Sequence, residues 1–526
     1  MYTDWNNHLH LLAASGLCII FYAVFLSPLR HVPGPLIAKL TGNWLLFIEL
    51  AGKRTTTVHA LHGKYGPVVC IAPNELSFNT IDAVETIYAS HHSEFRKAPW
   101  YANMTRGGVF NMRDPAEHRQ RRKLLNHAFS QQSVNEMEPH IHKHVRKLVM
   151  AIEKRRKDGP VDARHWFRMF AFDVAGESFL GKPFGGLDCD EAPGYVADLD
   201  SAFIVWDLQG RFPILTWLLR QSPSKKLQHF FTADDRIYEY GADAFKDYLQ
   251  RYGRSPQRKD LLTKLIRKED GDGGLTDEQI SGEISNLTFA ATDTAAIALT
   301  YMFWELAQHP ELQDKLREEL RKIPLPPASG IPDHKELVNL PLLNAVIQET
   351  LRKHSPVPAG LMRTAPPGGR MMEGYFVPEK TVVSVPSWTS HRNPTYFPNP
   401  ESFSPNRWIT PDGLGGTERM KQLYMPFTKG PRTCIGQAMA LLELRVMLAT
   451  LVFRYNVRLI AEVGMGAEVT FLVTAFIGDP GILEELIDPT VSSSQETASK
   501  RQQSFDAKEL IYAVQYRRVK FNWLAK

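Results

Sequence analysis

The sequence predicts a mainly α-helical protein with a smaller β portion, built as a single large domain behind an N-terminal apolar segment. Three observations carry this. A helical pattern opens at Thr276 and meets no breaker until Gln308, a second apolar helical run follows Cys434, and short β-prone runs between turn residues lie from 361 to 385. The 526 residues are 43% hydrophobic and 23% charged, enough for a large core. No Gly/Ser- or Pro-rich spacer divides them into halves, so one domain, residues 30–526, follows an appendage, residues 1–29.

The net charge of +5 is mild. It argues against a nucleic-acid partner and leaves room for a local basic patch that docks an acidic protein. The four cysteines, Cys18, Cys70, Cys189 and Cys434, lie far apart with no C-x-x-C pair, so neither a disulfide framework nor a zinc site is implied.

From Trp5 to Leu29 there is no Asp, Glu, Lys or Arg, and Leu11 to Leu26 is nearly all apolar. About 20 such residues cross a bilayer core. A cleaved signal peptide should start basic and finish at small residues, whereas this segment starts with Asp4 and ends in Pro28-Leu29-Arg30-His31. An uncleaved single-pass anchor is therefore expected, and Arg30, Lys39, Lys53 and Arg54 behind it leave the body on the cytosolic side. Pro33-Gly34-Pro35 then stiffens the exit from the anchor.

Asp114-Pro115-Ala116-Glu117 reads as a helix start, with Asp as N-cap, Pro at the first position and Glu at the third. Four residues apart on that helix, His118 and Arg122 share a face and can reach one anionic group; a solvated basic face is the plainer reading. Thr276-Asp277-Glu278-Gln279 caps the long helix, about 30 residues or roughly 45 Å. At its centre Asp293 and Thr294 stand among Ala, Phe and Ile, where a carboxylate and a hydroxyl are costly to bury unless hydrogen-bonded or functional. A hydroxyl back-bonded inside an ordinary core helix fits too.

Glu349 and Arg352 are three apart on a helix and can pair. Leu361-Met362-Arg363-Thr364 and the pair Tyr375–Pro378 and Thr381–Val385 read as strands around a turn.

Cys434 sits between the Gly/Pro-rich turn Pro426–Pro431 and the apolar run from Ala438. Unpaired N–H groups and the positive end of a helix dipole stabilise a thiolate there. A fixed, hydrogen-bonded, anionic sulfur meets the needs of an axial ligand to haem iron. Phe427 can shield the sulfur, Gly430 lets the loop pass close to a flat macrocycle, Arg432 can pair a propionate, and Gly436 lets the helix press on the ring. A buried structural cysteine at a helix start fits the same spacing.

The run Phe427-x-x-Gly430-x-Arg432-x-Cys434-x-Gly436, with Ala440 four residues on, resembles the haem-binding signature of the cytochrome P450 family at every fixed position. The resemblance extends over roughly residues 30 to 455. It implies the P450 fold, heme b held through Cys434, and a monooxygenase that hydroxylates or epoxidises a small apolar substrate with electrons from NADPH through NADPH-cytochrome P450 reductase. Asp293 and Thr294 resemble the acid and alcohol that relay protons; His118, Arg122, Arg363 and Arg432 resemble the propionate partners. Glu349, Arg352 and Arg407 resemble the family's buried triad, and Arg119, Arg121 and Lys123 part of the docking face for an electron donor. Pro33-Gly34-Pro35 is similar to the hinge of microsomal members, which implies an endoplasmic reticulum membrane location. The overall style is similar to fungal members acting in secondary metabolism. Ala291 departs from the usual Gly, Ala295 from a second hydroxyl, and Asn406 from the usual acid.

Two rivals remain: a haem-thiolate isomerase or dehydratase on the same fold, against which Asp293-Thr294 and the basic helix argue, and a non-enzymatic membrane haem binder, which needs no substrate pocket or oxygen site. Beyond about Asn456 the resemblance thins, and the polar stretch around 491–500 fits either a surface insertion near 460–510 or mistranslated intron sequence.

Overall fold

The computed structural model describes residues 14–459, apart from the short segments 91–93, 105–106, 158, 160, 190–193, 255–257, 259, 267–273, 325–329 and 412, together with the backbone of a strand at 520–525. The helices that shape the site are α1 (Pro115–Asn126), α2 (Glu138–Arg155), α3 (Ala163–Leu180), α4 (Gly194–Arg211), α5 (Pro213–Arg220), α6 (Ala233–Tyr252), α7 (Asp277–Gln308), α8 (Pro341–Lys353) and α9 (Gln437–Arg454). Strands are short: β1 (Val68–Ala72), β2 (Glu75–Phe78), β3 (Arg96–Lys97), β4 (Val161–Asp162), β5 (Arg363–Thr364), β6 (Arg370–Met372), β7 (Tyr375–Val377), β8 (Val382–Ser384), β9 (Tyr455–Leu459) and β10 (Lys520–Ala525).

Helix α7 is the axis of the core. Its start is fixed locally, because Thr276 Oγ1 accepts from the Gln279 N–H at 3.2 Å while Gln279 Oε1 accepts from the Thr276 N–H at 3.0 Å, a complete capping box. The helix covers 32 residues and ends before His309-Pro310, as the sequence predicts. Helix α3 packs along it most extensively, with α6, α8 and α9 around the remaining faces. A helix enclosed on every side needs no polar face, and from Ile280 to Leu306 the residues of α7 are buried except Ala290, Ala291 and Thr294.

The β portion is a five-stranded sheet in the order β1-β2-β8-β5-β3, antiparallel except for the β2/β8 pair, with a separate β6/β7 hairpin. Its far edge matters for the site: in the β3/β5 pair Lys97 lies opposite Arg363. Strand β10, from the far end of the chain, pairs with β9 over Tyr455↔Ala525 to Leu459↔Phe521 and also with β4. Residues 460–519 separate these paired strands in sequence, and the expected insertion near 460–510 lies outside the described residues.

Residues 14–26 are helical, with Leu17, Phe21, Phe25 and Leu26 exposed. Among the described residues no helix is long and apolar enough to cross a membrane, and the expected anchor begins in residues 1–13, outside them. The Pro-Gly-Pro step is docked against β1: the Cys70 N–H donates to Pro33 O at 2.7 Å, and a Cβ on Gly34 would stand 2.4 Å from Cys70 O.

Candidate active site

The Cys434 loop is braced from two directions. Its own backbone closes it, with the Cys434 N–H donating to Phe427 O at 2.9 Å and Thr433 Oγ1 donating to Phe427 O at 3.2 Å. Across the fold, Arg122 Nη1 of α1 donates to Thr433 O at 2.6 Å, and Arg432 Nη1 donates to Met112 O at 2.6 Å. The cysteine presents open surface and lines a cavity between α1, α7, α9 and the sheet edge, yet it lies deep in the protein, where burial raises its thiol pKa against the Gly436 amide and Arg122. Gly436 is the N-cap of α9.

A second tier holds this loop from α8. Glu349 accepts from Arg352 Nε and Nη2 at 2.9 and 2.8 Å, from Arg407 Nε at 3.1 Å and from Trp408 Nε1 at 2.9 Å. This is the triad the sequence predicts, with the Trp408 indole as a fourth member, and the Glu349 carboxylate is fully compensated although Glu349 and Arg352 are fully buried. Arg352 Nη1 donates to His391 O at 3.0 Å, and His391 Nε2 accepts from the Met425 N–H at 2.9 Å. The network thus ends one residue before Pro426, where the cysteine turn begins.

Cations converge on the same cavity. His118, Arg122, Arg363 and Arg432, all expected from sequence, line it, and Lys97 joins them. Lys97 is missed by motif reasoning because β3 has only two residues and its neighbour Arg363 is 266 positions away in sequence. A signal was nonetheless there: a lysine beside Ala98-Pro99-Trp100-Tyr101 is a cation in apolar company. Burial, then Arg363 and Arg432, hold the Lys97 amine well below its ordinary value. Burial, then Arg432 and Lys97, push His118 down to about 3, and burial with Arg363 lowers Arg432 to about 10. Like charges facing one another across adjacent strands and helices are unfavourable unless an anion shares them.

A haem with two carboxylates fits this cradle. The cations suit the propionates, the thiol lies beside them, and a Cβ on Gly436 would meet no protein atom within 4 Å, so protein packing does not demand glycine there. Gly430 is different. It does not line the cavity; it is glycine because its φ is +68° and a Cβ would strike Tyr88 O at 2.1 Å, not because a macrocycle passes over it. Phe427 does line the cavity, as Cys434 does, and its carbonyl takes the Cys434 N–H.

On the opposite wall the open residues of α7, Ala290, Ala291 and Thr294, face the cavity. Thr294 Oγ1 donates to Ala290 O at 2.7 Å, the back-bond foreseen as the plainer reading, and its lone pairs remain for the cavity. Asp293 is not part of this wall. It is buried against Arg168 of α3, with Nε–Oδ1 at 2.6 Å and Nη2–Oδ2 at 3.1 Å, and Arg168 also grips Asp200 of α4 at 2.6 Å. Burial, with Asp200 adding to it, raises the Asp293 carboxyl despite the guanidinium. Arg121, expected on a docking face, is likewise buried: its Nη1 donates to Glu283 Oε1 at 2.8 Å, while Arg119 and Lys123 stay exposed.

A family model described as cytochrome P450 matches residues 32–473. Cytochrome P450 monooxygenase orf2 of Aspergillus niger is 32% identical over 449 residues, 84% of this chain and 89% of that protein. Cytochrome P450 monooxygenase tazI of Aspergillus terreus is 32% identical over 446 residues, 83% and 88% of the two chains. Cytochrome P450 monooxygenase aba2 of Botryotinia fuckeliana is 29% identical over 483 residues, 86% of each.

Proposed function

The chain belongs to the cytochrome P450 family and is a monooxygenase, and from that premise we propose that it hydroxylates or epoxidises an apolar small molecule of a fungal secondary-metabolite pathway, using O2 and electrons passed from NADPH by NADPH-cytochrome P450 reductase. The observation that carries the reading is one cavity in which Cys434, the cation cluster and Thr294 meet. Cys434 would ligate the iron, and Lys97, His118, Arg122, Arg363 and Arg432 would hold the propionates. When bound, the haem supplies dioxygen activation, one oxygen atom going to substrate and the other to water.

The chain's own residues do the rest. Phe427 and the apolar side chains of the cavity exclude water. Thr294 Oγ1 donates to Ala290 O at rest with its lone pairs free, so a small rotation would turn the O–H inward as a donor, and a proton it passed on would be replaced by one accepted on those lone pairs from the cavity side. Asp293 acts on that hydroxyl through the position of α7, which its ion pair fixes against α3 and α4.

The endoplasmic reticulum membrane, with a single N-terminal anchor and the body facing the cytosol, is the proposed location. Support comes from the apolar 11–26 segment and from α5, where Ile214 is 76% and Trp217 59% exposed beside Leu215 and Leu218. Purified protein mixed with the reductase should consume NADPH in step with oxygenated product when a substrate is supplied. A haem-thiolate isomerase would convert its substrate with no NADPH, and a haem carrier would convert none.

A further inference from the structure

The first turns of α2 present side chains that the haem site does not use. Glu138 and His142 stand four residues apart and share one face of the helix, the spacing at which a helix offers two ligands to one metal ion. Asp333 meets them from the segment before the short helix His334–Leu337. One carboxylate oxygen of each acid and a ring nitrogen of His142 lie within 4.8 Å of one another. Among the described residues no other three metal-ligating side chains converge in this way.

Two observations set this trio apart from an ordinary acidic surface. His142 Nε2 is buried and has no hydrogen-bond partner among the described residues, although Glu138 Oε1 stands 3.4 Å away. That separation is long for a hydrogen bond, whereas two ligands on arms of about 2.0–2.1 Å around a tetrahedral zinc ion stand about 3.3–3.4 Å apart. Asp333, in turn, holds an N-cap position with extended backbone, φ −68° and ψ 140°, yet its side chain makes no cap bond and faces the other two donors instead. Among the described residues no Lys or Arg lies within ion-pair distance of either carboxylate, so the imidazole alone stands against two like charges. Glu138 is oriented from behind: the His334 N–H donates to its Oε1, and Arg445 of α9 donates to His334 Nε2 at 3.1 Å. With Glu138 21% and His142 13% exposed and Asp333 half-buried, an ion can enter from solvent.

We propose that Glu138, His142 and Asp333 bind one divalent transition-metal ion of the zinc class, with water completing its coordination. One imidazole beside two carboxylates suits Zn2+ over Mg2+ or Ca2+, which prefer oxygen donors throughout. The bound ion pins the start of α2 to the segment at 333 and, through His334 and Arg445, to α9, the helix that follows the Cys434 loop. The rival is a plain pair of protonated His142 with Glu138, which needs neither Asp333 nor a metal.

The test is equilibrium dialysis of the haem-loaded, full-length protein, first freed of stray metal with EDTA, against Zn2+ in the presence of about 1 mM Mg2+, with bound zinc counted by atomic emission. One zinc per chain should bind with a micromolar or lower Kd. His142→Gln and Asp333→Asn should each weaken it at least about tenfold, whereas His140→Gln, outside the trio, should leave it unchanged. At a hundredfold excess over Kd, zinc should raise the wild-type melting temperature by about 2 °C, and that of the two ligand variants by about half as much or less. Haem content and the reduced carbon monoxide band should match the wild type in all three variants, since none of these residues lines the haem cavity. No zinc bound at micromolar concentration, displacement by the Mg2+, or equal affinity in the wild type and both ligand variants overturns the proposal, the last by showing scattered binding to other histidines only.

Discussion

Arg168 stands 2.6 Å from the Asp293 carboxylate and, through its other nitrogens, holds Asp200, so that three helices, α3, α4 and α7, meet on one guanidinium. All three side chains are buried. The acid at the centre of α7 is therefore spoken for, and the neighbouring hydroxyl alone reaches the cavity wall.

Asp293→Asn should lower thermal stability by about 3 kcal/mol, the low end for breaking a buried pair, since Asp200 still serves Arg168. Arg168→Met, which strands two carboxylates, should cost more. Oxygen consumption in Asp293→Asn should slow about 10-fold if α7 is displaced from its proton-transfer position. Thermal unfolding and an oxygen electrode check both, and a destabilised variant with wild-type oxygen turnover would leave Asp293 a structural tie only.

Thr294→Ala removes the hydroxyl from the wall without unpairing Asp293. It should keep haem, keep substrate binding and still consume NADPH, while most electrons go to hydrogen peroxide instead of product. Thr292 does not rescue it in this account, because its hydroxyl donates to Thr288 O and Thr292 is fully buried away from the cavity lining. Peroxide and product are measured together; equal coupling in wild type and in the Thr292→Ala, Thr294→Ala double variant would remove α7 from the chemistry.

How much of this was legible in the sequence divides by range. The caps of α1 and α7 were, because Asp114 and Thr276 act on N–H groups two and three residues away. So was the Glu349 network, since its Arg352 lies one turn on and its Arg407 follows a recognisable Phe-x-Pro run. Lys97 and Arg121 were not: each takes its role from a partner brought up by strand pairing or helix packing, Arg363 in one case and Glu283 in the other. Gly430 had the right residue for a different reason, a carbonyl of Tyr88 that no local pattern reveals.

Removing residues 1–29 should make the body markedly less membrane-bound and leave the haem spectrum unchanged, as no site residue lies there. Fractionation after a high-salt wash decides it. A truncated protein that stays wholly with the membrane would show that the segment is not the sole anchor, and the exposed α5 face would be the next to vary.

Glu443 of α9 lines the cavity, and burial pushes its carboxyl up to about 8. The folded protein then holds a proton that the unfolded chain releases near the ordinary glutamate value of 4.5. Its favourable contribution is complete below that value and lost as pH rises through about 8, at about 1.4 kcal/mol per pH unit. Glu443→Gln lacks this slope. Its melting temperature relative to wild type should therefore rise steadily between about pH 5 and about pH 8.5. A constant difference across that range would contradict the buried, protonated acid.

The central claim is that Cys434 is the thiolate ligand of a bound haem. The direct measurement is the absorption spectrum of the dithionite-reduced carbon monoxide adduct, recorded for wild type and for Cys434→Ser. The wild type should give the red-shifted Soret band of thiolate ligation, and the serine variant, whose neutral hydroxyl cannot replace the sulfur, should bind haem poorly or show the band of another ligand. A thiolate-type band in Cys434→Ser, or its absence from haem-loaded wild type, would contradict the account.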